Sequence, residues 1–244
     1  MEYEDFLRVC PKKDGSLLSE RTVQHYVGGL QTTSDDMMRI DIISKPLKAM
    51  DIFELDIAIA MIYNNREFQE KDKKGKRMYS NALKHYRLYV AAFVDQRDGE
   101  DEEVKKIKEN PRLTPTEKET ISKARIGQGE YRKSLLDKYQ SRCIITGINL
   151  PEILIASHIK PWAVSNNKER ISENNGFLLS STYDKLFDQG LISFENNGKI
   201  MLSSMISSDN AEKLKIDSSK RYDIKYVPAM KDFMNYHREV IFIK

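Results

Sequence analysis

Five side chains in the second half of the chain have types and spacing that could do chemistry together. His158 ends an apolar run, "EILIAS", and is followed at once by "IKPW". Asn174 and Asn175 close a polar loop downstream, and Asp184 and Asp188 follow in "STYDKLFDQG". If that stretch is a short helix, positions 184 and 188 share one side of it. A neutral imidazole can take a proton from water, and carboxylates beside it can hold a divalent cation. The cation stabilises charge that develops on a phosphate and its leaving oxygen, so the set suggests metal-assisted hydrolysis. Oxygen ligands suit Mg²⁺ or Mn²⁺ better than zinc. Each residue alone has a plainer reading. A histidine at a strand end packs, a helical Asp pair is a solvated face or meets a neighbouring cation, and Asn-Gly is a turn. The joint order and spacing carry the chemical reading.

Those residues need elements to hold them. "EYRKSLLDKYQSR" reads as a basic amphipathic helix, and "CIITGINLPEILIASHI" as two short strands around a turn with Gly147, Asn149 and Pro151. "KPWAVSNNKERISENNG" is a polar loop and "FLLS" a short strand. "STYDKLFDQG" is a helix capped by Ser180 or Ser181 and stopped at Gly190. "LISFENNGKIMLSS" is a hairpin on an Asn197-Gly198 turn, and "AMKDFMNYHREVIFIK" a last helix with a strand-like end.

The first 95 residues read differently. Ser19 is a plausible cap for a helix carrying Val23, Tyr26, Val27 and Leu30, and "SKPLKAMDIFELDIAIAMIYNNREF" gives one or two more helices. Tyr79, Leu83, Tyr86, Val90 and Phe93 form one helical stripe, with His85 among them as a packing or surface residue. Between the halves, "DQRDGEDEEVKKIKENPRLTPTEKE" is charged, poor in large apolar residues and broken by Pro111 and Pro115. It reads as a linker with one solvated helix. The expected organisation is a helical domain over 1–95, a charged linker over 96–120 and a mixed domain over 121–244.

Composition narrows the class. The chain has 244 residues, 40% hydrophobic and 32% charged, which is globular and allows two modest cores. No run is long and apolar enough to span a bilayer, and the acidic start lacks a signal-peptide core, so no membrane partner is expected. Two distant cysteines, Cys10 and Cys143, exclude a disulfide framework or a four-cysteine zinc site, and the expected compartment is the cytoplasm. Net charge is only +3, but residues 121–142 hold six Lys/Arg against Glu130 and Asp137. Such a segment can meet phosphates or can be an ordinary solvated face.

The stretch "RCIITGINLPEILIASHIKPW…ENNGFLLSSTYDKLFDQGLISF" resembles the HNH endonucleases, especially their restriction-type branch. The resemblance covers about residues 111–244, including "YHREVIF" near the end. It implies an α+β chain in which a β-hairpin, a loop and a helix form a ββα-metal nuclease core behind the helical domain. It implies that His158 is the general base, that Asn175 braces the loop presenting it, and that Asp184 is a metal ligand. Three departures stand out. Ser157 occupies a position where relatives often carry an Asp or His metal ligand, so Asp188 is expected to compensate. Cys143 has Thr146 where a second cysteine would stand, so no structural zinc is expected and Cys143 should pack in the core. Asp184 replaces His or Asn, which keeps an oxygen ligand and adds charge.

The supporting residues follow from electrostatics. Lys160 and Arg170 flank the loop and suit phosphates, while Arg125, Gln128 and Arg132 suit backbone or base edges. Trp162 is expected to anchor the loop and His237 to have a structural role. The implied function is a divalent-metal-dependent DNA endonuclease that cuts foreign double-stranded DNA, as a homodimer if its site is palindromic. The competing expectations are a DNA-binding module whose nuclease fold has decayed, and a nuclease that requires modified DNA.

Overall fold

A computed structural model describes residues 2–94, except Lys13 and Gly15, and residues 128–244, with the backbone alone at 93, 94, 128 and 129. The charged linker expected at 96–120, and Arg125, lie outside the described residues.

The first part is helical: α1 (Tyr3–Val9), α2 (Glu20–Arg39), α3 (Ile52–Asn64), α4 (Arg66–Lys74) and α5 (Met78–Tyr89). Local chemistry sets two of the starts. Ser19 caps α2 by accepting from the Thr22 N–H, and Asp51 caps α3 in a reciprocal box with Glu54. Caps of this kind each stabilise by about 1 kcal/mol. The α5 stripe buries Leu83, Tyr86 and Val90 against Leu7, Leu30, Leu55, Ile59 and Ile62. Val240, Ile241 and Ile243, from the end of the chain, belong to this same core. Lys84 Nζ donates to the Phe242 carbonyl at 2.8 Å inside it. His85 is buried there too, with Nδ1 2.8 Å from the Asn81 carbonyl.

The second part contains α6 (Gln128–Lys138), β1 (Leu154–His158), α7 (Asn167–Arg170), β2 (Gly176–Ser180), α8 (Ser181–Asp188), β3 (Ile192–Phe194), β4 (Ile200–Leu202), α9 (Ser208–Lys213) and α10 (Lys231–Tyr236). β1 pairs antiparallel with β2, from Leu154 opposite Ser180 to His158 opposite Gly176, and β3 pairs antiparallel with β4. The Asn197-Gly198 turn closes the second pair, with Gly198 at φ +80°. Phe177, Phe187 and Phe194 are fully buried and meet edge-on or tilted at the centre of this core. The whole is α+β, a helical part followed by a mixed part with small sheets. Among the described residues no helix is long and apolar enough to cross a membrane.

One expected element is different. Only Leu154–His158 of "CIITGINLPEILIASHI" is a strand. Residues 143–148 instead close a tight turn, with Cys143 N–H donating to the Ile148 carbonyl and Gly147 N–H to the Cys143 carbonyl, both at 2.9 Å. The buried Cys143 Sγ accepts from the Thr146 and Ser180 N–H groups at 3.4 and 3.3 Å. The Ile144 N–H donates to the Leu178 carbonyl of β2 at 3.1 Å, but the turn forms no ladder with that strand among the described residues. The partner of β1 is therefore β2, on the far side of the polar loop.

The two parts meet at a small apolar contact. Phe53 at the start of α3 packs on Trp162, ring centroids 6.3 Å apart, with Ile57 and Ala163 beside them. Arg87 of α5 and Asp56 of α3 form a buried ion pair at the same junction, Nε to Oδ1 at 2.5 Å.

Candidate active site

β1 delivers Ser157 and His158 side by side at its C-terminal end. β2 returns antiparallel and runs straight into α8, so the first turn of α8 folds back over β1. Asp184 sits in that turn, near enough to the Ser157 hydroxyl for it to lower the carboxyl pKa. Asp188 lies one turn on, half-exposed. Ser157, His158, Asp184 and Asp188 all line one cavity of about 280 Å³. Its opposite wall is Ile52, Phe53, Asp56 and Arg87 from the helical part.

The His158 ring is fixed on two sides. Its Nε2 lies 2.9 Å from the Arg170 backbone carbonyl. A carbonyl only accepts, so Nε2 carries the proton and Nδ1 keeps its lone pair. Among the described residues Nδ1 makes no hydrogen bond. Tyr131 of α6 stacks on the ring, centroids 4.3 Å apart and planes 15° from parallel, and donates its hydroxyl to the Asn175 carbonyl at 3.1 Å. Burial lowers the His158 pKa below the usual imidazole value, and the Arg170 charge acts in the same direction against the raising effect of the Arg170 carbonyl. The imidazole is thus neutral at pH 7, the form a general base needs.

Asn175 is fully buried beneath the loop. Its Oδ1 accepts from the Lys160 N–H at 2.8 Å. Its Nδ2 lies 3.1–3.3 Å from the carbonyls of Lys160 and Glu169 and from Ser165 Oγ. One side chain therefore ties the start of the loop, after His158, to the segment that offers the Arg170 carbonyl. Asn174 is peripheral, with its Oδ1 3.4 Å from Lys138 Nζ. The next residue must be glycine. A Cβ on Gly176 would lie 2.1 Å from Tyr131 Oη and 2.7 Å from Leu135 Cδ1. Tyr131 is pinned by its stacking and its hydrogen bond and has little room to yield. Gly176→Ala is expected to cost about 3 kcal/mol, the upper end of ordinary overpacking. Thermal melting checks this, and an unchanged Tm contradicts it.

Asp184 is the carboxyl under electrostatic stress. Burial raises its pKa to about 6, Asp188 adds to the rise, and the Ser157 hydroxyl and Lys185 oppose it. No salt bridge reaches it among the described residues. Nor, among those residues, do three His, Cys, Asp or Glu side chains converge on one point. Mg²⁺ does not require that, because it keeps several waters and takes one or two carboxylates plus substrate oxygens. Asp184, with Ser157 and Asp188 beside it, fits such a site.

The expected phosphate ligands stand elsewhere. Lys160 Nζ pairs with Glu169 at 2.7 Å, and Glu169 also closes the cap of α7. Arg170 is buried, stacked 4.0 Å over Trp162, with Nε donating to the Trp162 carbonyl and Nη1 to Asn167 Oδ1. Arg132 donates to the carbonyls of Leu154 and Pro151 at 2.6 and 2.5 Å and holds the start of β1. None of the three lines the cavity. These bonds shape the loop and the strand. Gln128 opens α6. Trp162 anchors the loop, as expected, on Phe53 and Arg170. His237 is buried and stacked on Phe187, with Nδ1 at Ser193 Oγ and Nε2 at the Phe187 carbonyl. Both its nitrogens are engaged, and it lies outside the cavity lining.

Tyr131, Asp56 and Arg87 were missed in the sequence. A signal existed for the last two. Asp56 interrupts the apolar run "ELDIAIA", and Arg87 stands between Tyr86 and Leu88. A charge inside an apolar helical stretch asks for a buried partner.

No curated protein matches the chain. Residues 143–195, from the Cys143 turn through β3, match the profile of a family described as HNH endonuclease. That span holds the whole His158, Asn175 and Asp184 set, so the part of the chain that is similar to the HNH endonucleases is the part that lines the cavity with His158 and Asp184.

Proposed function

We propose that this chain is a divalent-metal-dependent DNA endonuclease of restriction type, with His158 as general base. The observation that carries this reading is the His158 ring itself. Its proton is fixed on Nε2 by the Arg170 carbonyl, and its free Nδ1 belongs to a residue lining the same cavity as Asp184 and Asp188. In the proposed reaction Nδ1 takes a proton from water, the resulting hydroxide attacks phosphorus, and the P–O bond on the far side breaks. The released oxygen takes its proton from solvent. A bound Mg²⁺ or Mn²⁺ supplies Lewis-acid stabilisation of the phosphate and leaving oxygens. Asp184 would hold it, assisted by Asp188 and by the Ser157 hydroxyl. Ser157 thereby orients a carboxylate where an acidic residue would itself bind metal.

The helical domain, residues 1–95, is proposed to serve target recognition or dimerisation, joined through 96–120 to the nuclease domain at 121–244. One such site cuts one strand, so palindromic double-strand cutting calls for two copies. The test is incubation of methylated and unmethylated genomic DNA with Mg²⁺, followed by sequencing of the ends. Discrete ends at a repeated site support a restriction enzyme, and their offset gives the stagger. Cutting of methylated DNA alone assigns a modification-dependent nuclease. Binding without cutting on every substrate assigns a decayed, DNA-binding module.

The metal assignment has its own consequence. Asp184 has a folded pKa of about 6 against an ordinary 3.8. A raised carboxyl contributes stability below its unfolded pKa and loses it as pH rises through its folded pKa. In metal-free protein this group therefore weakens the fold between about pH 4 and pH 6. Bound Mg²⁺ should relieve that above pH 6 and have little effect at pH 4.5. The expected result is a Tm increase with Mg²⁺ at pH 8 that vanishes at pH 4.5 and in Asp184→Asn. An equal increase in Asp184→Asn removes Asp184 as the ligand.

A further inference from the structure

Among the described residues lining the cavity, Arg87 is the only Arg or Lys, and it comes from α5 of the helical part. The same lining holds three carboxylates, Asp56, Asp184 and Asp188. A phosphodiester entering there meets net negative charge unless a cation faces it.

The bonding of Arg87 leaves it able to do so. Nε donates to Asp56 Oδ1 at 2.5 Å and Nη2 to Asp56 Oδ2 at 3.1 Å, filling one edge of the guanidinium. Nη1 donates to the Asp188 backbone carbonyl at 2.8 Å, at the last residue of α8. A guanidinium has five N–H groups, and these bonds use three. Among the described residues no acceptor takes the other two, one on each Nη. Apart from Asp56, the carboxylate oxygen beside it is Asp188 Oδ1, 3.9 Å from Nη2 and too far for a hydrogen bond. The side chain is only 4% exposed, so Asp56 holds it in one place instead of letting it sweep through solvent. A planar fork with one edge locked and two donors left over is suited to phosphate oxygens.

We propose that Arg87 contacts the scissile phosphodiester, carried into the HNH cavity by the helical domain and aimed by Asp56. This rests on the nuclease reading above. It makes the site composite, with base and carboxylates from the HNH domain and the phosphate clamp from α5.

Removing Arg87 alone would take the guanidinium from the buried Asp56 carboxylate, so the test uses the paired variant Asp56→Asn/Arg87→Gln. Its Tm reports folding. Two readouts follow, cleavage of duplex DNA with Mg²⁺, and duplex binding against salt in a His158→Ala background. Cleavage is expected to fall about 100-fold, the loss typical of one charge-stabilising donor. The slope of log affinity against log salt should shrink by about 0.9, the value for one lost phosphate contact. A folded variant that cuts within threefold of the parent and keeps its salt slope overturns the proposal. If the pair does not fold, Arg87→Lys takes its place, since a lysine keeps the charge but cannot reach Asp56, Asp188 and a phosphate together. A tenfold or greater loss of cleavage is then expected, and parental activity overturns the proposal. If the parent protein binds DNA but never cuts it, the nuclease reading fails on its own, and the salt slope still decides Arg87.

Discussion

Substituting alanine for His158 is expected to lower DNA cleavage by about 10²–10⁴-fold, the usual contribution of a positioned general base. DNA affinity should change less than threefold, because the imidazole is neutral and contributes no charge to the phosphates. The size of the effect follows from the ring's setting. The Arg170 carbonyl fixes the tautomer, Tyr131 fixes the plane, and among the described residues nothing competes for Nδ1. The pH profile adds a second check. Burial holds His158 below the ordinary imidazole pKa, so the base stays free at pH 7. Asp184, at about 6 in the metal-free protein, must lose its proton to hold a cation. Activity should therefore fall as pH drops below 6, and added Mg²⁺ should move the fall to lower pH. Cleavage by His158→Ala within threefold of the parent, with the same pH profile, removes His158 as the base.

Asn175→Ala is expected to cost about 3 kcal/mol, since it orphans the buried Lys160 N–H and withdraws a donor from two carbonyls. For a chain of this size that corresponds to a Tm drop of about 6–12 °C. Activity should fall further than the unfolded fraction explains. The loop Asn175 ties down also presents the Arg170 carbonyl, and a loosened loop releases the His158 tautomer. Asn175→Asp is the sharper control. A carboxylate keeps the acceptor for Lys160 N–H but sets negative charge against two carbonyls and Ser165 Oγ. It should be no less damaging than alanine. Two variants that both melt within 1 °C of the parent and cut normally show that the bonds of Asn175 do not hold the site.

The sequence and the structure agree most where the determinants are local. Ser19 caps its helix, Asn197-Gly198 turns its hairpin, and "STYDKLFD" is a helix with Asp184 and Asp188 one turn apart. Positive φ at Gly190 is a local signal of the same kind, reinforced by the Ile241 carbonyl that a Cβ there would strike at 2.2 Å. The reading is weakest where a residue's partner is a backbone carbonyl, a thiol or a side chain outside its own helix or strand. "CIIT" has the composition of a strand, yet it closes a turn, with the Thr146 N–H on the Cys143 thiol, the Cys143 N–H on the Ile148 carbonyl and the Ile144 N–H on the Leu178 carbonyl of β2. Lys160, Arg132 and Arg170 look like phosphate ligands in a linear reading because their acceptors, Glu169 and the carbonyls of Leu154, Pro151 and Trp162, give no sign of themselves in sequence.

By itself, then, the stretch from His158 through Asn175 to Asp184 determined the strand, loop and helix that make the ββα frame, because a strand end, a buried amide and a helix face are all set within thirty residues. Only the tertiary structure decided what faces that chemistry. Tyr131 reaches His158 because Gly176 leaves room for it. Arg87 and Asp56 enter the cavity because Val240, Ile241 and Ile243 bury themselves in the helical core and Phe53 packs on Trp162, drawing the two parts together. Burial of apolar surface between distant segments chose those neighbours, and that contribution depends on shape, which no local spacing of residues records.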